Sequence, residues 1–185
     1  EGVTSIGIYA FNYCRDLVSI EIPESVTSIG QGAFQECKSL ASIKIPDGVT
    51  SIGDGTFRGC KGLTEVIIPN SVMSIGQGVF DGCARLTSIE IPHSVTRIGK
   101  RAFACCFALE SIEIPDSVTS IGDWAFSGCN SLRYVTLSTT STRLGLRSTN
   151  IGSEGDKVLG VISHTVAYKY PFFIRHIAVF TLLIS

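Results

Sequence analysis

The chain of 185 residues repeats itself with a period of 23 residues, and the phase of the repeat does not shift from its start to about residue 145. The phenylalanines of this repeat are Phe11, Phe34, Phe57, Phe80, Phe103 and Phe126. A fixed period of this length is typical of a solenoid, in which one small unit stacks on the next. A single unit buries too few side chains to offset the entropy lost when its backbone is ordered. Stability must therefore come from contacts between neighbouring coils.

One unit has the pattern I-P-x-S-V-T-S-I-G-x-x-A-F-x-x-C-x-x-L-x-S-I-x. In residues 17–22, apolar and variable positions alternate, which predicts a strand that ends at Pro23. Residues 26–29 are rich in β-branched side chains and form a second short extended piece, closed by Gly30. Residues 31–37 have apolar side chains three apart, which suits one turn of 3₁₀ or α-helix. Each coil is therefore predicted to be mostly β, with one parallel strand and one short helical turn.

The unit resembles the BspA-like, or treponemal-type, leucine-rich repeats. The L-x-x-I-x-I segment supplies the leucine-rich part, and V-x-x-I-G-x-x-A-F-x-x-C is the added mark of that class. The resemblance extends from residue 1 to about residue 145 and includes six consecutive coils in frame. It implies a right-handed leucine-rich-repeat solenoid with a parallel sheet along its concave face. It also implies a surface-exposed or secreted protein that binds other proteins, in adhesion or recognition, and is not an enzyme.

The repeat pattern divides the chain into two parts. Residues 1–145 are predicted to form a leucine-rich repeat array of six coils and a decaying half-coil. The array opens in mid-repeat without a Met or a signal peptide, so we expect a fragment of a longer array. Residues 146–185 form a non-repeat tail, which could cap the last coil, be loosely ordered or be part of a membrane segment. Residues 172–185 are apolar but too short for a crossing helix, which needs about 20 residues.

The charge balance argues against nucleic acid as a partner. The chain has 15 Lys and Arg against 16 Asp and Glu, for a net charge of -1. A protein that binds nucleic acid through its phosphates is normally basic.

The cysteines and histidines indicate no metal, cofactor or catalytic site. Six of the seven cysteines follow the repeat beside phenylalanine and leucine, so we expect them to be reduced, buried and unreactive. Cys105 lies outside the repeat and is expected to be the thiol that is modified fastest. The ligand pairs of zinc motifs are absent, and His93 occupies a variable turn position. We therefore predict that the protein has no metal, no cofactor and no enzymatic activity.

The exposed columns of the predicted strands give the candidate binding site. Side chains that flank each inward isoleucine are mostly serine and glutamate, with Lys44 and Arg133 as the basic residues. Tyr134 and Arg133 are the best anchors, because interface hot spots favour Tyr and Arg. The predicted partner-binding residues on the concave face are Glu65, Glu90, Glu110, Glu113, Arg133 and Tyr134. The alternative is a face that is simply solvated.

Two functions follow from this pattern. The first is a protein–protein interaction module from a surface or secreted protein. The second is a structural spacer or intracellular scaffold without a catalytic role. Four residues lie on the predicted convex turns: Arg97, Lys100, Arg101 and Trp124. The three basic side chains are interpreted first as solvated charge, and Trp124 as packing under the tail at the end of the array. They become the better candidate if the concave face does not bind.

Overall fold

A computed structural model describes residues 2–137 and 143–144, and of residues 134, 136, 137, 143 and 144 it describes the backbone alone. The described chain forms six coils in sequence order, and coils 2 to 6 each begin at the repeat proline. Coil 1 comprises residues 2–22, coil 2 residues 23–45, coil 3 residues 46–68, coil 4 residues 69–91, coil 5 residues 92–114 and coil 6 residues 115–137. The predicted boundary near residue 145 and the three interpretations of the tail 146–185 lie outside the described residues.

Eleven short strands occur in the described part of the chain, in two rows. One row comes from the S-I dipeptide of the repeat, and the other from the L-x-x-I-x-I segment. In chain order the strands are β1 (Ser5–Ile6), β2 (Ser28–Ile29), β3 (Ser42–Lys44), β4 (Ser51–Ile52), β5 (Glu65–Ile67), β6 (Ser74–Ile75), β7 (Arg97–Ile98), β8 (Ser111–Ile114), β9 (Ser120–Ile121), β10 (Tyr134–Leu137) and β11 (Arg143–Leu144). The second extended piece of the repeat is thus a regular strand.

All paired strands are parallel, and their register equals the repeat, as in the pairing of Ser51 with Ser74 and of Ser74 with Arg97. In the S-I row, β1 pairs with β2, and a five-stranded sheet has the order β11-β9-β7-β6-β4. In the other row, β3 pairs with β5 and β8 pairs with β10. Residues 19–22 and 88–91 occupy the same place in their coils but are not paired as strands. The solenoid is confirmed, and its L-x-x-I-x-I row is interrupted.

The predicted helical turn is wrong, because the described residues contain no helix and the segment consists of consecutive β-turns. In coil 2 the turns close through N–H donors of Ala33, Gln35 and Cys37, each bonded to the carbonyl three residues before it. The intervening N–H groups donate to coil 3, as from Phe34 to the carbonyl of Thr56 at 2.9 Å. The segment therefore bonds alternately within its own turn and to the next coil.

Positive φ angles explain why the turns do not join into a helix, which requires negative φ throughout. Two positions of each turn segment, four residues apart, have φ between +55° and +80°. We call these two columns the left-handed positions. Six are glycines: Gly32, Gly55, Gly59, Gly78, Gly82 and Gly128. The other six are Tyr9, Tyr13, Glu36, Arg101, Cys105 and Trp124.

The phenylalanines of the repeat form one stacked column in the core. Neighbouring rings lie 5.2 to 5.6 Å apart between centroids and within 15° of parallel. Five of the six are buried, as predicted. Phe11 is an exception, because it is only partly buried and stacks on Phe34 alone. The isoleucines, valines and leucines of the repeat complete a single apolar cluster.

Polar side chains of the repeat tie each coil to the backbone of the coil before it. Ser94 Oγ donates to the carbonyl of Val72 at 2.7 Å, a contact repeated by serines of other coils. Cys106 Sγ contacts the carbonyl of Phe80 at 3.2 Å, and four other cysteines make the equivalent contact. These bonds satisfy carbonyls between the coils, which explains why serine and cysteine recur at fixed positions.

Candidate partner-binding face

The predicted glutamates lie exposed on the L-x-x-I-x-I row. Strand β8 shows the reason, since its side chains alternate between exposed and buried, with Ile112 and Ile114 in the core and Glu113 outside. Glu65 is exposed in the same way on β5. Glu90 is exposed in the unpaired segment 88–91.

The three remaining predicted residues lie in coils 5 and 6. Glu110 and Arg133 are exposed, and the N–H of Arg133 donates to the carbonyl of Glu110 at 2.8 Å, so they emerge side by side from adjacent coils. Tyr134 pairs in register with Ser111 across β10 and β8. The Tyr134 side chain lies outside the described residues, so its role as an anchor stays a prediction.

An open groove of about 400 Å³ lies where segment 88–91 and β8 fail to pair. No backbone hydrogen bond of the described chain joins residues 88–91 to Ser111–Ile114. Both Glu90 and Glu113 line the groove, so two of the predicted residues meet there. The other lining residues are Ser88, Ile89, Ile91, His93, Ser111, Ile112 and Pro115.

Sequence reasoning missed His93 as a member of this site. It fills the variable position after Pro92 and is exposed at the groove. No sequence signal marks the groove, because Ser88–Ile91 has the same alternating pattern as the paired strand β8. The gap depends on the distance between two coils, and not on the local sequence of either.

Charge is distributed unevenly around each coil. We use the name acidic face for the exposed charged residues of the L-x-x-I-x-I segments and of the position after each proline. Its members are Glu21, Glu24, Lys44, Asp47, Glu65, Glu90, Glu110, Glu113, Asp116 and Arg133. Eight of these ten side chains are acidic. The rest of coils 1–6 holds eight basic and five acidic side chains, so opposite charges are separated within the cross-section.

One ion pair neutralises part of the acidic face in coil 2. Lys44 Nζ donates to Glu24 Oε1 at 2.7 Å. This hydrogen bond, together with one from the backbone N–H of Asp47, lowers the pKa of Glu24. Both side chains are exposed, so the pair adds little to stability. Among the described residues, the acidic-face carboxylates of coils 3–5 form no such ion pair, and Glu90 and Glu113 of this group line the groove.

The thiols offer no nucleophile within this face. Burial raises the pKa of Cys37 to about 11, and it raises the pKa of Cys60 and Cys83 further. Such thiols stay protonated and unreactive near neutral pH. Five repeat cysteines are buried as free thiols, as predicted, but the prediction is wrong for Cys14, which is exposed. Its coil has a neighbour on one side only among the described residues. Cys105 is only partly exposed.

Within residues 2–137 and 143–144, no three His, Cys, Asp or Glu side chains are grouped so that they could hold a metal ion. A helix with the length and apolar character needed to cross a membrane was not found there either.

Comparison with known families gives a match over most of the chain. The family model of the BspA type leucine rich repeat region, which has six copies, matches residues 1–106 and 50–148. No protein with a curated description matches the sequence.

Solved structures share both the fold and part of the sequence. A leucine-rich repeat protein of Treponema pallidum is 36% identical with a TM-score of 0.73, over 77% of this chain and 67% of that one. A leucine-rich repeat protein of Bacteroides ovatus is 32% identical with a TM-score of 0.70, over 80% of this chain. The present chain spans 45% of the length of the B. ovatus protein. A leucine rich cell surface protein of Faecalibacterium prausnitzii is 27% identical with a TM-score of 0.51, over 76% of this chain and 59% of that one.

Proposed function

The chain belongs to the BspA-type leucine-rich repeat family, and from this premise we propose that it is a protein-interaction module whose acidic face binds a protein partner. The observation that supports this most strongly is the combination of eight carboxylates on one face with an open groove between two coils. Two of these carboxylates lie on parallel strands, Glu65 on β5 and Glu113 on β8, and a side chain on a fixed backbone loses less entropy on binding. The binding residues are Glu65, Glu90, Glu110, Glu113, Arg133 and Tyr134.

The charge of the face defines the chemistry of the partner. A surface with eight carboxylates attracts a protein region rich in Lys and Arg and repels acidic proteins. Such attraction raises the association rate and weakens as salt increases. Arg133 and Tyr134 belong to coil 6, which lies next to coil 5 and so close to the groove. They are residue types that contribute most of the binding energy in many protein interfaces.

A location at the cell surface or outside the cell fits this function. One similar structure is that of a cell surface protein, which is 27% identical to this chain where the two align, over 59% of its length. The repeat fold of this family is typically non-catalytic. The function proposed here is therefore recognition, without a chemical step.

The experiment begins with capture of partners from host extracellular proteins and, separately, from a cytosolic extract. The biotinylated chain is compared with E90Q/E113Q, which removes both carboxylates of the groove. The matched control is E21Q/D47N, which removes two carboxylates of the same face in coils 1 and 3. We expect a basic extracellular protein whose recovery falls about tenfold with E90Q/E113Q and stays near wild type with the control.

A purified partner then allows a direct titration. R133A/Y134A should weaken binding more than S19A/S42A does, while the thermal stability of both variants stays close to wild type. Equal capture by wild type and E90Q/E113Q would contradict the proposal. If neither extract yields a specific partner at low salt, the spacer function becomes the better explanation.

A further inference from the structure

The left-handed positions of the turn segments carry side chains that the backbone disfavours. A non-glycine residue with positive φ is strained, and asparagine and aspartate tolerate this conformation best. Six of the twelve positions hold glycine, but none holds asparagine or aspartate. Four of the other six hold Tyr9, Tyr13, Arg101 and Trp124. These are residue types that dominate protein interfaces.

Arg101 and Trp124 are neighbours, because they occupy the same left-handed column in coils 5 and 6. Their φ angles are +57° and +61°. The N–H of Arg101 donates to the carbonyl of Asp123 at 3.0 Å, so the two turns lie one strand spacing apart. The sister coils 3 and 4 have Gly55 and Gly78 in this column. The glycines show that the fold does not require a large side chain in this column, which outside coils 5 and 6 has one only at Tyr9 of coil 1 among the described residues.

A buried carboxylate holds the guanidinium of Arg101. Arg101 Nε donates to Asp81 Oδ2 at 3.2 Å, and the side chain of Asp81 is only 9% exposed. Arg58 Nε lies 3.7 Å from the same oxygen. Two arginines therefore share one carboxylate, which leaves excess positive charge at the surface. A fixed guanidinium loses less entropy on binding than a free one.

Two more basic residues extend this surface. Lys100 precedes Arg101, and Arg97 lies on β7 of the same coil, and both are exposed. The nearby carboxylates are the buried Asp81 and the half-buried Asp123. We propose that Arg97, Lys100, Arg101 and Trp124 form a second docking surface, separate from the acidic face, for an acidic segment of a partner protein. Carboxylates of that segment pair with Lys100 and Arg101, and its apolar atoms pack on Trp124.

The probe is an acidic peptide obtained by selection. A displayed random-peptide library is panned against the immobilised chain, and the best acidic peptide is synthesised with a fluorophore and titrated by anisotropy. Besides basic peptides that the acidic face retains, the selection should yield a group of sequences richer in Asp and Glu than the input library. Binding should weaken in about 0.5 M NaCl, because the pairing is exposed. K100A and W124N should each weaken binding about tenfold or more.

Matched controls distinguish the loss of contacts at this surface from the general effects of removing a charge or relieving backbone strain. K61A removes an exposed lysine of coil 3, and E36G relieves a left-handed position of coil 2 without altering coils 5 and 6. Both should bind the peptide as wild type does, and so should E90Q/E113Q, which tests independence from the acidic face. W124G should melt no more than a few degrees below wild type, since glycine removes the backbone strain.

Three results would overturn the proposal. One is a selection that yields no group of sequences enriched in acidic residues. Another is a peptide that binds K100A and W124N as tightly as wild type. The third is binding that W124N abolishes but that salt does not affect, which indicates an uncharged ligand. K100A keeps the test decisive even if both Trp124 variants are unstable, because Lys100 is exposed and outside the core.

Discussion

Replacing Phe80, an interior ring of the phenylalanine column, with alanine should strongly destabilise the protein. The ring is completely buried between Phe57 and Phe103, at centroid distances of 5.6 and 5.4 Å. Removing a buried phenylalanine side chain costs about 3 to 5 kcal/mol, and the loss is greatest where neighbours cannot collapse into the cavity. Rings stacked on both sides are held by their own coils. We therefore expect about 4 to 5 kcal/mol, including two lost ring contacts.

The same substitution at Phe11 provides the matched control. Phe11 is partly exposed and stacks on one ring, at 5.2 Å from Phe34. Its loss should cost about half as much, roughly 2 kcal/mol, because less apolar area leaves water and one ring contact is lost.

Urea unfolding followed by circular dichroism measures both free energies. A loss of about 4 kcal/mol corresponds to a melting temperature roughly 10 to 15 °C lower for a domain of this size. If F80A is no less stable than F11A, the rings do not form a packed continuous column. A loss below about 1 kcal/mol for F80A would have the same meaning.

Three further predictions concern the spacing of the coils and the thiols. Gly99→Ala should destabilise the protein by several kcal/mol, on the order of the strain of an overpacked core, because the added Cβ would lie 2.5 Å from backbone atoms of the preceding coil. Gly53→Ala should cost far less, because its Cβ would lie 3.4 Å from its nearest neighbour. Urea unfolding compares the two variants. Alkylation of the folded protein, followed by mass spectrometry, should modify Cys14 first, Cys105 more slowly and the buried thiols last; simultaneous modification of several thiols would contradict the packing. From about pH 7 to pH 9 the free energy of unfolding should change little, and it should fall as the pH rises towards 11, because folding raises the pKa of Cys37 from 9.0 to about 11 and so disfavours its thiolate. C37A should show a shallower fall.

The repeat predicts the core well, because every interior coil meets the same neighbours. Equivalent residues of the interior coils therefore have the same surroundings, and Phe34, Phe57, Phe80 and Phe103 are all fully buried. The prediction is less accurate at coil 1, where a described neighbour exists on one side only. This leaves Phe11 partly buried and Cys14 exposed, although both match the repeat.

The spacing of apolar residues alone does not predict the backbone conformation of the turn segment. Apolar residues three apart suit both a helical turn and consecutive β-turns, since both use bonds to the third preceding residue. The deciding signal was present in the recurrence of glycine at Gly32, Gly55 and Gly78, where φ is positive. The alternating glutamates Glu90 and Glu113 could be predicted to be exposed. The groove between them could not, because it depends on the separation of two coils.

Hydrogen exchange of the chain with and without its captured basic partner tests the central claim most directly. Amides of residues 88–91 lack strand pairing and should exchange faster in the free chain than those of Ser111–Ile114. If the partner binds the acidic face, amide exchange should slow in both segments, and the exchange rate of the turn segment 99–106 should not change. Protection confined to the turn segments, with residues 88–91 still exchanging at the free rate, would contradict it.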